Sequence, residues 1–303
     1  MQTKAHDALR VFSHQALDFW LQKLSPTASV NTVRASVRAK YEEAPGVVTI
    51  ELTPNHRWKG FTPGQHVELT LEVDGRRLRR TWTLSGGANA RSLQLTISKI
   101  PGGRVTPWVH EQLNIGDVVE LSQARGTFVR RHADRPTLFL AGGVGITPAL
   151  AMIRTLTSVG FSRAFTLVHY VRDESLAIAR AELDRIQARD PLFRYVLVVT
   201  EDDKPGAEER RVSADQLSRA NITPADCETF VCGPAPFMDA AEAAIHTLAP
   251  DTTVAREYFT VPQRDTAGAG GTVHFARSNA TQEASATMTL LETAEAAGLT
   301  PKL

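Results

Sequence analysis

The chain has 303 residues, and 34 basic against 33 acidic side chains leave a formal net charge of +1. That balance gives no electrostatic footprint for nucleic acid or an anionic membrane, and no apolar run reaches the length of a spanning helix. Two cysteines, Cys227 and Cys232, are too few for a four-thiolate metal site, and no apolar core follows MQTKAHDALR at the N-terminus, so a cytoplasmic, reducing location without disulfides is expected.

Residues 1–29 read as a helical extension. Leu9, Phe12, Ala16, Phe19, Trp20 and Leu24 recur at helical spacing, which predicts a helix from Ala8 to Leu24 ended by Ser25-Pro26. Its stripe is expected to pack on the outside of the first domain.

Residues 30–132 carry strand patterns. Val33 to Lys40 and Val47 to Thr53 are rich in β-branched residues, and Val67, Leu69, Leu71 and Val73 alternate cleanly before an Asp74-Gly75 hairpin turn. Arg80 to Leu84, Leu93 to Ile97 and Val118 to Leu121 follow, with a short helix from Pro107 to Leu113. Short strands separated by turns predict a small antiparallel β-barrel. The chain turns polar and basic from Arg130 to Pro136, which places a domain boundary there.

From 133 to 261 strands and helices alternate. Strands are predicted at Thr137 to Ala141, Phe165 to Tyr170, Tyr195 to Thr200, Thr229 to Cys232 and Val254 to Val261. Helices are predicted at Pro148 to Val159, Leu176 to Arg189, Ala214 to Ala220 and Pro236 to Leu248. This rhythm predicts an α/β domain with a parallel sheet. Glu201 to Glu209 reads as a polar loop and 262–270 as a linker. The last piece, 271–303, has one predicted strand, Val273 to Ala276, and a helix from Met288 or Leu290 to Ala297; it is too short to bury a core of its own.

Two turns carry the chemistry of the α/β domain. The first is Leu138-Phe139-Leu140-Ala141-Gly142-Gly143-Val144-Gly145-Ile146-Thr147-Pro148, a buried strand running into glycines and then a helix. Glycines let backbone approach a ligand, and a helix start offers unpaired N–H groups to an anion. Thr147 can cap that helix or give its hydroxyl to a ligand, and Pro148 suits a first helical turn. The spacing is not GxGxxG, and a glycine turn alone can be purely structural. The second turn is Val231-Cys232-Gly233-Pro234-Ala235-Pro236-Phe237-Met238, also at a strand end before a helix. Two such turns on one sheet predict a crevice for a large anionic cofactor. Cys232 reads either as a small residue touching a ligand ring or as inert burial; one thiol does not make a metal site, and the sequence identifies no base for a nucleophile.

On these two motifs the chain resembles the ferredoxin–NADP reductase superfamily, and more narrowly the bacterial reductases in which a plant-type ferredoxin domain follows the nucleotide domain. There GG-x-G-x-TP and CGP-x-P-F-M belong to the nicotinamide nucleotide domain, and they stand here as Gly142 to Pro148 and Cys232 to Met238. The resemblance implies that Gly142, Gly143, Gly145, Thr147, Pro148, Gly233 and Pro234 line the nucleotide site. It also implies that Cys232, Thr147 and Glu257 stand at the reacting centre.

The barrel carries the flavin part of the resemblance. The family's R-x-Y-S/T stands as Arg80-Thr81-Trp82-Thr83. Arg80 can offer a fork of donors to the flavin diphosphate, Trp82 can stack on the isoalloxazine, and Thr83 can hydrogen-bond it. Trp82 departs from the family's Tyr: it keeps the stacking surface and replaces a phenol with an indole donor. Gly103, Val105 and Thr106 match a G-x-V/L-S/T element that holds the flavin pyrophosphate, with Lys99 and Arg104 beside it. Gly126-x-Phe128 resembles the family's G-x-F, a structural seat. Glu257-Tyr258-Phe259 resembles the terminal E-x-F, which implies a place for Glu257 and Phe259 beside the flavin. Arg172, after His169-Tyr170-Val171, is the candidate for the ribose 2′-phosphate of NADPH, with Arg180 or Arg211 as possible helpers.

Residues 271–303, with Val273 to Ser278 and Leu290 to Leu299, resemble the opening of a plant-type ferredoxin domain. That domain binds a 2Fe–2S cluster through four cysteines, and none follows here, so no cluster is expected on this chain. The whole pattern implies a flavin-dependent NAD(P)H oxidoreductase that uses FAD and NADPH or NADH. Its expected acceptor is an iron–sulfur or ferredoxin-type protein serving an oxygenase or desaturase. A free flavin reductase, and a non-enzymatic remnant or assembly subunit, are the alternatives.

Overall fold

The computed structural model describes residues 18–23, 25–200, 210–259 and 270–299. The chain divides into two compact units, Met1–Phe259 and Thr260–Leu303. Of the expected N-terminal helix, residues 18–23 are helical and the remainder lies outside the described residues, as do the expected polar loop at 201–209 and linker residues 262–269. Phe19 and Trp20 are exposed, and the Asp18 carboxylate accepts from Ser29 Oγ at 2.9 Å and Val30 N at 2.7 Å.

The first unit opens with a six-stranded antiparallel sheet. Its strands are β1 (Val33–Ala44), β2 (Val47–Pro54), β3 (His66–Val73), β4 (Arg76–Thr83), β5 (Leu93–Ser98) and β6 (Val118–Leu121), in the order β4-β3-β6-β1-β2-β5. Leu84, just past β4, bridges Leu95 of β5, so the two ends of the sheet meet and it curls into a barrel. The alternation in β3 buries Val67, Leu69, Leu71 and Val73 inside it. Asp74 and Gly75 take φ of +52° and +71°, and Val73 pairs directly with Arg76. A two-residue turn of this hand needs both central residues at positive φ. It also starts β4 four residues earlier than expected, because pairing resumes at once after so tight a turn. The arginines that fill this start are exposed and carried no strand signal. Helix α1 (Val105–Glu111) puts Val105 and Val109 into the barrel core and admits Pro107 in its first turn.

A parallel sheet follows within the same unit: β7 (Thr137–Gly142), β8 (Phe165–Val171), β9 (Phe193–Val199), β10 (Glu228–Cys232) and β11 (Val254–Glu257), in the order β11-β10-β7-β8-β9. Its helices are α2 (Thr147–Val159), α3 (Arg180–Arg189), α4 (Ala214–Arg219) and α5 (Ala235–Leu248). β7 is buried along its whole length, as a strand covered on both faces must be. One core lies on the α2 side and includes Phe139, Ile153, Phe165 and Phe230; the other, around Leu138, Tyr170, Val231 and Met238, lies against α5. The helix expected from Leu176 starts only at Arg180: Ala179 takes φ +56°, a left-handed conformation no helix continues through. The chain extends the sheet from β7 through β8 to β9, then returns to the other side of β7 with β10 and β11. The strand order reverses between β7 and β10, and ligands of open parallel sheets bind beyond the strand ends at such a point.

The second unit has a hairpin, β12 (Gly271–Phe275) and β13 (Ala280–Ala284), and then α6 (Leu290–Ala296). β13 (ATQEA) has no apolar alternation and escaped the sequence reading. Thr289 and Glu292 form a reciprocal capping box at the start of α6.

Candidate active site

The two glycine turns meet at the strand reversal. β7 ends at Gly142, Gly143–Ile146 forms one 3-10 turn, and α2 begins at Thr147. β10 ends at Cys232, which is in register with Ala141 of β7. The turns are packed backbone to backbone. A Cβ on Gly145 would stand 2.2 Å from the Cys232 carbonyl oxygen; one on Gly233 would stand 2.8 Å from the Phe237 ring and 3.1 Å from Gly142 Cα. A Cβ on Gly142 would come 3.0 Å from the same ring. These three glycines make room for the other turn. Gly143 differs: its φ is +53° and nothing stands within 4 Å of where a side chain would go. Thr147 donates its hydroxyl to the Val144 carbonyl at 3.2 Å, and Pro148 is buried in the first turn of α2. No side chain caps α2; the helix runs on from the 3-10 turn, with the Thr147 N–H donating to the Val144 carbonyl and Pro148 carrying no N–H.

Beneath the turn lies a residue that the sequence reading passed over. His169 of β8 is fully buried, and its Nε2 is 3.0 Å from the Gly143 carbonyl oxygen. Burial pushes its pKa down to about 4, against a smaller upward pull from that carbonyl. The ring is therefore neutral near pH 7, and Nε2–H donates to Gly143; Nδ1 is buried without a hydrogen-bond partner. A histidine inside the otherwise apolar strand FTLVHYV was the available signal.

The barrel supplies the facing wall. Trp82 is half-buried against the barrel core, and Thr83 is buried. Thr83 Oγ1 donates to Glu257 Oε2 at 3.4 Å, and His66 Nδ1 stands 3.6 Å from Glu257 Oε1. Glu257 is in register with Cys232 across β10 and β11. Three residues far apart in sequence, Thr83, Cys232 and Glu257, thus come together, with His66 as an unforeseen fourth. Cys232 is fully buried, and burial together with the Glu257 carboxylate pushes its thiol well up, so it is a neutral S–H rather than a thiolate. Tyr258 and Phe259 are exposed, and the Arg256 guanidinium lies 5.0 Å from the Tyr258 ring centre.

The basic candidates separate by their partners. Arg80 is exposed, and its Nη1 donates to the Arg79 carbonyl at 2.6 Å. Lys99 pairs with Glu111 at 2.8 Å, so its charge is already matched. Val105 sends its side chain into the barrel core and leaves only backbone to a ligand. Gly103 N donates to the Ile100 carbonyl at 3.0 Å, and Thr106 Oγ1 accepts from Ile100 N at 2.9 Å; together they close the turn before α1. Arg172, directly past the end of β8, and Arg211 are exposed, and Arg180 pairs with Glu174 and Asp184. A cavity of about 740 Å³ lies at the opposite strand ends, among Phe128, Arg131, Asp226 and Cys227; neither glycine turn lines it. Among the described residues no group of three or more His, Cys, Asp or Glu is placed to hold a metal ion.

Residues 36–129 match the oxidoreductase FAD-binding domain family, and residues 139–243 match the oxidoreductase NAD-binding domain family. The chain has the ferredoxin–NADP reductase fold. The solved FAD/NAD-binding domain of a nitric oxide dioxygenase from Vibrio cholerae superposes with a TM-score of 0.67 at 21% identity, covering 76% of this chain and 99% of that one. Phthalate dioxygenase reductase does so with a TM-score of 0.64 at 24% identity, over 89% and 82%. In sequence, a flavohemoprotein of Burkholderia sp. is 29% identical over 79% of this chain and 62% of its own length. The glycine betaine monooxygenase reductase subunit of Chromohalobacter salexigens is 33% identical over 61% and 52%. An NADPH oxidoreductase of Mycobacterium tuberculosis is 27% identical over 96% and 77%. The chain thus spans about half to three-fifths of several curated relatives it matches. In this reductase fold the barrel is the FAD domain and the parallel sheet the NAD domain. The half-buried Trp82 face, the Thr83 hydroxyl and the exposed Arg80, which has no acidic partner among the described residues, fit a flavin. The open face of Gly143, where a backbone turn meets no side chain, fits a nucleotide.

Proposed function

We propose that the chain is an FAD-dependent NAD(P)H oxidoreductase. Thr83 of the FAD-domain signature and Glu257 and Cys232 of the NAD domain converge on one spot, and that observation carries the reading. When bound, the flavin accepts a hydride from the nicotinamide and can release its electrons one at a time. The protein supplies position. Arg80 and the Gly103–Thr106 turn, with Val105 giving backbone and Lys99 at its rim, hold the flavin diphosphate. Trp82 stacks on the flavin ring, and Glu257 fixes the direction of the Thr83 hydroxyl that meets it. Gly143, Thr147 and Pro148 receive the nucleotide, with Gly142, Gly145, Gly233 and Pro234 shaping the wall behind it. Cys232 closes the floor of the reacting centre as a neutral thiol, and Phe259 shields its open side. Arg172 takes the ribose 2′-phosphate, which favours NADPH.

The reading extends to the organisation of the chain. The FAD domain spans 30–132 and the NAD domain 133–261, after an extension at 1–29. A linker at 262–270 leads into 271–303, the opening of a plant-type ferredoxin domain with a partial β-grasp fold. The acceptor is an iron–sulfur or ferredoxin-type protein serving an oxygenase or desaturase. The monooxygenase reductase subunit among the relatives supports this, as does the solved reductase described as passing electrons from pyridine nucleotides to a 2Fe–2S centre. No helix among the described residues is long and apolar enough to cross a membrane.

The test is an anaerobic visible spectrum of the purified, FAD-loaded chain. Flavin bands that bleach on adding NADPH, and more slowly with NADH, are the expected result. Failure to retain FAD, or bands unmoved by either nucleotide, overturns the reading.

A further inference from the structure

We propose that Arg154 is a positioning residue that fixes how closely the FAD and NAD domains present their ligands to each other. This rests on the reading above, that a nucleotide on one domain reduces a flavin on the other. Arg154 lies on α2, seven residues beyond Thr147, and its side chain is only 14% exposed. Its Nε and Nη2 donate to the two carboxylate oxygens of Glu182 at 2.9 and 2.6 Å. Nη1 reaches across to the barrel and donates to the Ser85 carbonyl at 2.8 Å and to Gln94 Oε1 at 2.9 Å. One guanidinium therefore ties the helix that grows out of the nucleotide turn to the segment that follows the flavin signature, two residues past Thr83.

The barrel side of this contact is rigid. Ser85 is fully buried, and its hydroxyl lies 2.9 Å from Thr96 Oγ1, which lies 2.8 Å from Thr49 Oγ1. The neighbouring contacts follow the same seam: Ala88 N donates to Thr155 Oγ1 at 2.9 Å, and Asn89 Nδ2 to Ser158 Oγ at 3.1 Å. Burial works against the charge on Arg154, and Glu182, joined by Glu43 and Tyr41, more than restores it. A seam needed only for cohesion would hold as well with apolar side chains, since a buried ion pair is weak evidence of stabilisation. A planar fork with donors in fixed directions adds geometry instead. Geometry is what the reaction needs, because a misplacement of about 1 Å can cost on the order of a hundredfold in rate.

The experiment compares wild type with Arg154→Lys and Arg154→Met, all FAD-loaded. It reads the bleaching rate at saturating NADPH, the half-saturating concentration, and the long-wavelength absorbance of nicotinamide stacked on flavin. Hydrogen exchange at the Ala88 amide is measured without nucleotide. Both variants should retain flavin, bleach at least about tenfold more slowly at saturation and lose the long-wavelength band, with half-saturation within about threefold of wild type. Ala88 should exchange faster. Variants that keep the wild-type rate and band overturn the proposal, even if they melt at lower temperature. Should both fail to fold, Gln94→Leu, which removes one acceptor and leaves the Glu182 pair intact, must slow bleaching and speed Ala88 exchange, or the proposal falls. A wild type that does not bleach overturns the proposed function instead, and the Ala88 exchange then still reports whether Arg154 holds the seam.

Discussion

His169 Nε2 lies 3.0 Å from the Gly143 carbonyl oxygen, so a buried neutral imidazole holds the first peptide of the 3-10 turn between β7 and α2. Its pKa, lowered to about 4, has a consequence for stability. Between pH 6.5 and 4 the unfolded chain binds a proton on this side chain that the folded chain refuses. Stability from this residue is therefore complete above pH 6.5 and is lost as pH falls toward 4, by about 3 kcal/mol in all. Denaturant unfolding of wild type and His169→Phe at pH 7 and pH 4 checks this: the wild-type advantage should shrink by about that amount. A constant difference would show that the folded chain protonates His169 as readily as the unfolded chain does.

The glycines of the two turns should not tolerate alanine equally. A Cβ on Gly145 meets the Cys232 carbonyl oxygen at 2.2 Å, a backbone atom that cannot swing aside. Gly145→Ala is expected to cost about 3 kcal/mol or more of stability. Gly143→Ala meets no atom and is penalised only by its φ of +53°, about 1–2 kcal/mol. Urea midpoints give the order directly, and equal losses at the two positions would contradict the packing of turn on turn.

Thiol titration separates the two cysteines. Cys227 is partly exposed and Cys232 fully buried, and burial raises both thiols, Cys232 the more strongly. The folded chain at pH 8 should react with a disulfide reagent at Cys227 alone, and the denatured chain at both. Rapid labelling of Cys232 in the folded protein would mean that the floor beneath the two turns opens.

Arg80→Ala should weaken FAD binding by about 1.5–3 kcal/mol, the range for a hydrogen bond to a charged group, or on the order of ten- to a hundredfold in affinity. Trp82→Tyr should retain FAD, because a stacking face remains. Quenching of flavin fluorescence on titration measures both. Unchanged affinity in Arg80→Ala would move the diphosphate away from β4.

The alternation of Val67, Leu69, Leu71 and Val73 reports a half-buried strand directly, and β3 is where it was expected. The two turns, read by their glycines, also fall at strand ends on one sheet. What those glycines do was less legible. A glycine that admits a ligand and one that admits another backbone look alike in sequence, so Gly143 and Gly145 were indistinguishable until the strands β7 and β10 were seen side by side. His169, His66 and Arg154 were missed for a related reason. Each acts through a partner remote in the chain, and no local pattern points from Arg154 to Ser85 or from His66 to Glu257. β13 was missed because its polar residues carry no period, and its place is set by the Asn279 turn at φ +49° and by pairing with β12.

The hairpin at Asp74-Gly75 returns the chain as β4, which meets β5 through the Leu84 bridge past its end and whose first five residues, away from that bridge, include Arg76, Arg77, Arg79 and Arg80. Such a strand offers unpaired backbone groups to any extended chain it meets. Here a second copy of the molecule would have to bring its own row of guanidinium groups against this one. The row that ends in Arg80 thus also discourages self-association at that edge, and removing these arginines together would leave a sticky ribbon.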